Sequence, residues 1–304
     1  IDEKKIIGFS SNDIIKLYCQ MIFYRKFEER VNIAYTKQKF SGFCHLHIGQ
    51  EALCAGVEFC LKDIDYVISG YRSHTQAIAR GVSPEAVFAE LFGRSEGCSG
   101  GKGGSMHMFS RKNNFLGGHG IVGGQAPIAV GVGFAIKYRK EEAVIVCYLG
   151  DAAMNQGAVF EAMNMAAVWH LPVLFIIENN RYGMGTDITR TTSIKSLSKR
   201  ADAFDMESAT IDALDVKNVA TQVSEIVSSI RNKNRPFLLE AMTYRYKGHS
   251  VSDPGTYRSK EEVENYMQRD SIASLGNWMM EQGIASKDQI EQFAKDAKEK
   301  VVKA

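Results

Sequence analysis

The 304-residue sequence has only five prolines and six cysteines, and 37 basic against 35 acidic side chains leave a formal charge of +2. So few prolines argue against a long disordered linker. The lack of a basic surplus removes the electrostatic footprint of a nucleic-acid binder. No clean membrane span is present. The uncharged stretch from Phe115 to Ile136 is broken repeatedly by glycine and once by Pro127, which reads as a buried loop running into a helix. Cys19, Cys44, Cys54, Cys60, Cys98 and Cys147 are irregularly spaced and form no CxxC pair. They read as free thiols in a reducing compartment, and a structural zinc site is disfavoured. The opening IDEKKIIGFS has no apolar signal core and is too acidic for a transit peptide.

What is present is ordinary for a globular chain, with 45% apolar and 24% charged residues. Length alone gives a prior of about two domains. Asn12 to Tyr35 predicts an amphipathic helix capped by Ser11 or Asn12, because Ile14, Leu17, Tyr18, Met21, Ile22 and Phe27 recur at helical spacing. Gln50 to Leu61 and Ser83 to Phe92 predict two more, the latter with Ser83 as cap and Pro84 in the first turn. Tyr66 to Ser69 predicts a short strand leading into YRSH. Gly93 to Gly124 is rich in glycine and is expected to be a loop packed around a ligand.

The middle of the chain carries the fold signal. Ala143 to Leu149 and LPVLFIIE are continuous apolar runs separated by a helical stretch from about Ala158 to Trp169. Val216 to Ser229 and Pro236 to Thr243 repeat the helix–strand alternation. This is the pattern of an α/β, doubly wound, mainly parallel sheet. The expected organisation is one α/β unit over 1–258, with a charged helical extension over 259–304.

Ligands of such sheets bind beyond the carboxyl ends of the strands. Asp151 and Asn180 both follow strand ends and should converge, giving an oxygen-rich set suited to magnesium on a phosphate. Each residue has a plainer reading, Asp151 as a helix cap and Asn180 in a tight turn. GCSGGKGGS lacks the Ser or Thr of a P-loop. Gly118, Gly120 and Gly123 match G-x-G-x-x-G, but RKNNFL before them is a poor strand, so a nicotinamide dehydrogenase stays a minority reading. Zinc at Cys44, His45 and His47 is disfavoured. Arg72 could grip a phosphate or form a surface ion pair. His249, in the loop after the last strand, is a candidate proton shuttle or a structural histidine.

GFCHLHIGQEA, YRSH, GKGGSMHM, GGHGIVGGQ, GDAAMNQG, FEAMNMAAVW, ENNRYGMGT and TYRYKGHSVSDP, in that order, resemble the alpha subunits of the thiamine diphosphate-dependent 2-oxo acid dehydrogenases, the pyruvate enzymes above all. The resemblance covers about Asn12 to Tyr266. It implies that Asp151, Asn180 and the Tyr182 carbonyl hold magnesium on the cofactor diphosphate. It implies that Tyr71, Arg72, Ala152 and Ala153 contact the diphosphate, and that Gly120 and Val122 receive the aminopyrimidine ring. His45 and His249 would line the reaction centre, His249 also touching the cofactor. The implied activity is oxidative decarboxylation of pyruvate, with transfer of the two-carbon unit to a lipoyl group on the acyltransferase component. Branched-chain 2-oxo acid and acetoin dehydrogenases are the sister readings, and a non-catalytic assembly subunit the distant one.

The resemblance also implies an α2β2 assembly, because the activating glutamate of such sites comes from a beta subunit. The compartment would be bacterial cytoplasm, or mitochondrial matrix if a transit segment has been removed, with no nucleic-acid or membrane partner. Three departures stand out. GDA replaces the motif GDG, so Ala152 is strained if its φ is positive and harmless if it opens a helix. FDMESATIDALD reads as a loop variant away from the metal. Ser250 matches a serine phosphorylated in animal enzymes, but DPGTYR lacks the second such serine, so kinase control is not expected.

Overall fold

The computed structural model describes residues 8–304; the expectation about a targeting signal falls on the IDEKKII stretch, which lies outside the described residues. α1 (Ser11–Thr36) starts one residue earlier than its spacing suggests. Ser10 is the cap and closes a capping box with Asp13, leaving Ile14, Leu17, Met21 and Phe27 on the buried face. α2 (Glu51–Phe59) is buried along most of its length and leads to β1 (Tyr66–Gly70). The YRSH motif then runs into α3 (His74–Ala79), a short helix that periodicity did not reveal. α4 (Pro84–Leu91) has the expected Ser83 cap.

The glycine-rich segment differs from expectation twice. It contains a strand, β2 (Phe115–His119), pairing parallel with β1. Its first half is packed around an acid of its own chain, which its glycine content does not reveal. The Glu90 carboxylate accepts backbone N–H groups from Ser99, Gly101, Gly103 and Gly104 at 2.6–3.1 Å. Close approach explains the glycines there, since a Cβ on Gly97 would lie 2.6 Å from the Glu90 Cα.

α5 (Gln125–Arg139), β3 (Ile145–Gly150), α6 (Gly157–Val168) and β4 (Val173–Asn179) form the expected crossover units. A small hairpin follows, β5 (Tyr182–Gly183) with β6 (Thr186–Asp187). β7 (Glu207–Asp212) corrects the reading of FDMESATIDALD as a loop: its polar, half-exposed residues suit an edge strand and carry no apolar run. α7 (Val216–Lys233) and β8 (Phe237–Met242) complete the sheet, whose order is β2-β1-β3-β4-β8-β7, parallel throughout.

Alternation along β3 and β4 divides the core. Val146, Tyr148, Leu174 and Ile176 face one helical layer, and Ile145, Cys147, Val173 and Phe175 the other. All seven β4 residues are buried, as helices on both faces require. α8 (Lys260–Met267), α9 (Ser271–Glu281) and α10 (Lys287–Lys303) end the chain. α9 and α10 are less surface-like than their charge suggests, because Leu275, Met279 and Ala297 join Leu17 and Met21 of α1 in a third cluster. All six cysteines are free. Among the described residues no helix is long and apolar enough to cross a membrane.

Candidate functional site

The strand order reverses direction between β1 and β3, and the chain crosses over on opposite sides there. A cleft of about 340 Å³ opens at this point beyond the carboxyl ends of β1, β3, β4 and β8. Tyr71 and Arg72 enter it from the end of β1, and Asp151 from the end of β3. Asn180 and Tyr182 enter from the end of β4, and His249 from the loop after β8.

Asp151 is 3% exposed, and its side chain does not cap the following turn. One oxygen, Oδ2, has no partner. Burial pushes its carboxyl up to about 6, opposed by its own and the Ala152 backbone N–H and by the charge of Arg245. Asn180 does occupy a turn, accepting the Tyr182 N–H at 3.3 Å while donating to Gln50 Oε1 at 3.2 Å. An amide oxygen has a second lone pair, so the turn leaves it able to meet a cation.

Two buried guanidinium groups share the cleft with this acid. Arg72 donates to the carbonyls of Leu46 and His249, and Arg245 to those of Lys247 and Met184 and to the Tyr257 hydroxyl. Every one of these acceptors is neutral, which rules out a surface ion pair for Arg72. Burial first, then the charge of Arg245, lowers Arg72 to about 10. Neither guanidinium makes a direct ion pair among the described residues, and buried cations so placed favour a bound anion.

His45, Tyr71 and His249 form an aromatic group, with ring centroids 4.5 Å apart for His45–Tyr71 and 5.0 Å for His45–His249. Burial, then the Arg72 charge, lowers His249 to about 4 and His45 to about 2. Both rings are therefore neutral near pH 7, and the Nδ1 atom of each is buried without a partner. His47 points elsewhere, bonding Glu178 at 2.8 Å and the Thr75 hydroxyl at 2.9 Å. Among the described residues no three or more His, Cys, Asp or Glu side chains are grouped so as to hold a metal ion.

A scan against family models matches residues 19–304 to the dehydrogenase E1 component. The chain belongs to the dehydrogenase E1 component family. It is 44% identical over 295 residues to the pyruvate dehydrogenase E1 component subunit alpha of Rhizobium meliloti, covering 97% of this chain and 85% of the relative. The like-named proteins of Rickettsia bellii and Dictyostelium discoideum, the latter called mitochondrial, are each 44% identical, covering 96% of this chain and 90% and 78% of the relatives. E1 dehydrogenases depend on thiamine diphosphate, and an E1 alpha subunit works in a complex with a beta subunit. The nicotinamide and scaffold readings find no support in these relatives.

Against this E1 background, the residues predicted from the sequence divide. Tyr71, Arg72, Val122, Asp151, Ala152, Ala153, Asn180, Tyr182 and His249 line the cleft. His45 stands one ring behind, and Gly120 lies against His107, where a Cβ would come within 3.0 Å of the imidazole. Ala152 lies in a right-handed 3-10 turn and not at positive φ, so the departure from GDG carries no backbone strain. The G-x-G-x-x-G match fails as a dinucleotide motif: Gly118 lies inside β2, with the Ser73 hydroxyl 2.3 Å from where its Cβ would be. Ser250 is buried, and its hydroxyl meets that of Ser252 at 3.0 Å.

Sequence reasoning missed Gln50, Gln125, Glu178 and Arg245 at or beside the cleft. The signal for Arg245 was present, an arginine between the apolar β8 run and a glycine-histidine loop, but its burial was not readable.

Proposed function

We propose that the chain is the alpha subunit of the decarboxylase component of a pyruvate dehydrogenase complex. It would use thiamine diphosphate and magnesium, act on pyruvate and pass the acetyl unit to the lipoyl group of the acyltransferase component. One observation carries this reading: a buried carboxylate with an unpartnered oxygen shares the cleft at the switch point with two buried guanidinium groups that make no direct ion pair. A magnesium diphosphate satisfies both sides at once. Asp151, Asn180 Oδ1 and the Tyr182 carbonyl would hold the metal, an all-oxygen set suited to a hard cation. Arg72, backed by Arg245, would meet the diphosphate, together with Tyr71 and the backbone at Ala152 and Ala153. The backbone at Gly120 and Val122 would receive the aminopyrimidine ring.

When bound, the cofactor supplies the carbanion chemistry. The chain's own residues bind, orient and exclude water. Arg72 is held by two carbonyls, one on each Nη, which leaves three of its five N–H groups free to donate. His249 is neutral and can take a proton at an unprotonated ring nitrogen, while its backbone N–H donates to Asp253 Oδ2 at 2.5 Å. His45 and Tyr71 wall the same corner.

The glutamate that activates the cofactor would come from the beta subunit in an α2β2 tetramer. Residues 1–258 would be one α/β unit and 259–304 its helical extension. The free thiols fit bacterial cytoplasm or mitochondrial matrix. The test is co-expression with the beta chain, followed by decarboxylation assays on pyruvate, branched-chain 2-oxo acids and acetoin. Pyruvate should be turned over fastest. Preference for another substrate would reassign the enzyme within the family, and turnover by the purified alpha chain alone would refute the shared-site reading.

A further inference from the structure

α8 begins with Ser259-Lys-Glu-Glu262, the sequence signature of a capping box. Among the described residues two other helices complete such a box, Ser10 with Asp13 and Ser286 with Gln289. In α8 only half of it forms. The Ser259 hydroxyl accepts the Glu262 N–H at 3.0 Å, but the Glu262 carboxylate does not return to the cap. It accepts the Tyr182 hydroxyl at 2.9 Å on both oxygens and the Tyr244 hydroxyl at 2.9 Å.

One turn further along the same face, Tyr266 stacks on Tyr244 with centroids 3.8 Å apart and planes within 4°. Its hydroxyl accepts from Arg181 Nη1 at 3.2 Å. Positions 262 and 266 thus grip Arg181 and Tyr182, the two residues that follow Asn180. That stretch needs outside support. Arg181 sits at φ +73, a left-handed conformation that a long side chain adopts only when its surroundings impose it.

We propose that Glu262 is a positioning residue for the cofactor site: from the C-terminal helices it holds Tyr182, and with it the strained Asn180–Tyr182 turn, in the geometry that binds metal and diphosphate. The inference rests on the magnesium reading given above. Glu262 touches neither group; it acts through the Tyr182 ring and hydroxyl. The local energy of closing the capping box is given up for a contact 80 residues away in sequence.

The experiment uses the alpha chain co-expressed with its beta partner. Calorimetric titration with thiamine diphosphate, with and without magnesium, gives Kd, and steady-state assays with pyruvate give kcat at saturating cofactor. Glu262→Ala should weaken magnesium-dependent binding about tenfold, while kcat at saturation changes by less than about twofold. Glu262→Gln, which still accepts from both hydroxyls, should restore most of the affinity. Tyr182→Phe should lose a similar amount, and Glu262→Ala should add little in that background. The tyrosine variant removes one hydroxyl only, so it remains informative if Glu262→Ala folds poorly. Metal-dependent binding unchanged in Glu262→Ala, or fully additive losses in the double variant, would overturn the proposal alone. Equal binding with and without magnesium in the wild type would overturn the magnesium reading and the proposal with it.

Discussion

Glu90 and Asp151 are both buried carboxylates within the same α/β layer system, and their surroundings are opposite. Glu90 accepts four backbone N–H groups from the loop it organises, and nothing about it is left unsatisfied. Asp151 keeps one oxygen without a partner, and its neighbours Arg72 and Arg245 lack acids of their own. A buried charge that the protein satisfies internally is part of the scaffold; one that it leaves waiting marks a place for a ligand.

The two acids should therefore respond oppositely to removal. Asp151→Asn should abolish magnesium-dependent cofactor binding, a loss of more than about 100-fold, while thermal unfolding of the ligand-free chain is unchanged or rises. Glu90→Ala should do the reverse. It leaves four half-buried N–H groups without their acceptor and should destabilise the fold by about 2–4 kcal/mol, read by denaturant unfolding. If Glu90→Ala spared stability, or Asp151→Asn spared binding, the contrast would collapse.

The histidines sharpen the same contrast through pH. An unfolded histidine takes up its proton near pH 6.5, whereas His249 in the fold stays neutral until about 4. Stability is thus fully present above about 6.5 and is lost as pH falls through that interval, because the unfolded state binds the extra proton. His249→Asn should flatten the slope between these values in the ligand-free chain. An unaltered slope would show that the ring is not held neutral.

The smallest expected effect concerns Ala152. A Cβ on Gly183 would lie 2.6 Å from the Ala152 Cβ, so the methyl has its room because residue 183 is glycine. Gly183→Ala should weaken cofactor binding, and Ala152→Gly should rescue it in part. Ala152→Gly alone should cost about 0.5–1 kcal/mol of stability, without much tighter binding. A large gain in affinity would show that the alanine is costly after all.

Much of this site was legible before any coordinates. β3 and β4 announce themselves because strands covered on both faces must be apolar throughout, and that fixes where Asp151 and Asn180 emerge. β7 and β2 escaped for complementary reasons. The first is an edge strand with a burial pattern open to water, and the second contains two glycines that contribute no side chain to a pattern. The glycine-rich loop was rightly expected to be packed, but its centre is the chain's own Glu90.

The sequence by itself determined the parallel α/β order, the family and the acid and amide at the strand ends, because these depend on local composition and motif. The tertiary structure alone decided which charges stay unpaired. Arg245, Glu262 and Tyr266 take their meaning from partners that are tens of residues away in sequence and within hydrogen-bonding distance in space. Whether a buried charge is compensated depends on every group around it, and no short stretch of sequence contains that information.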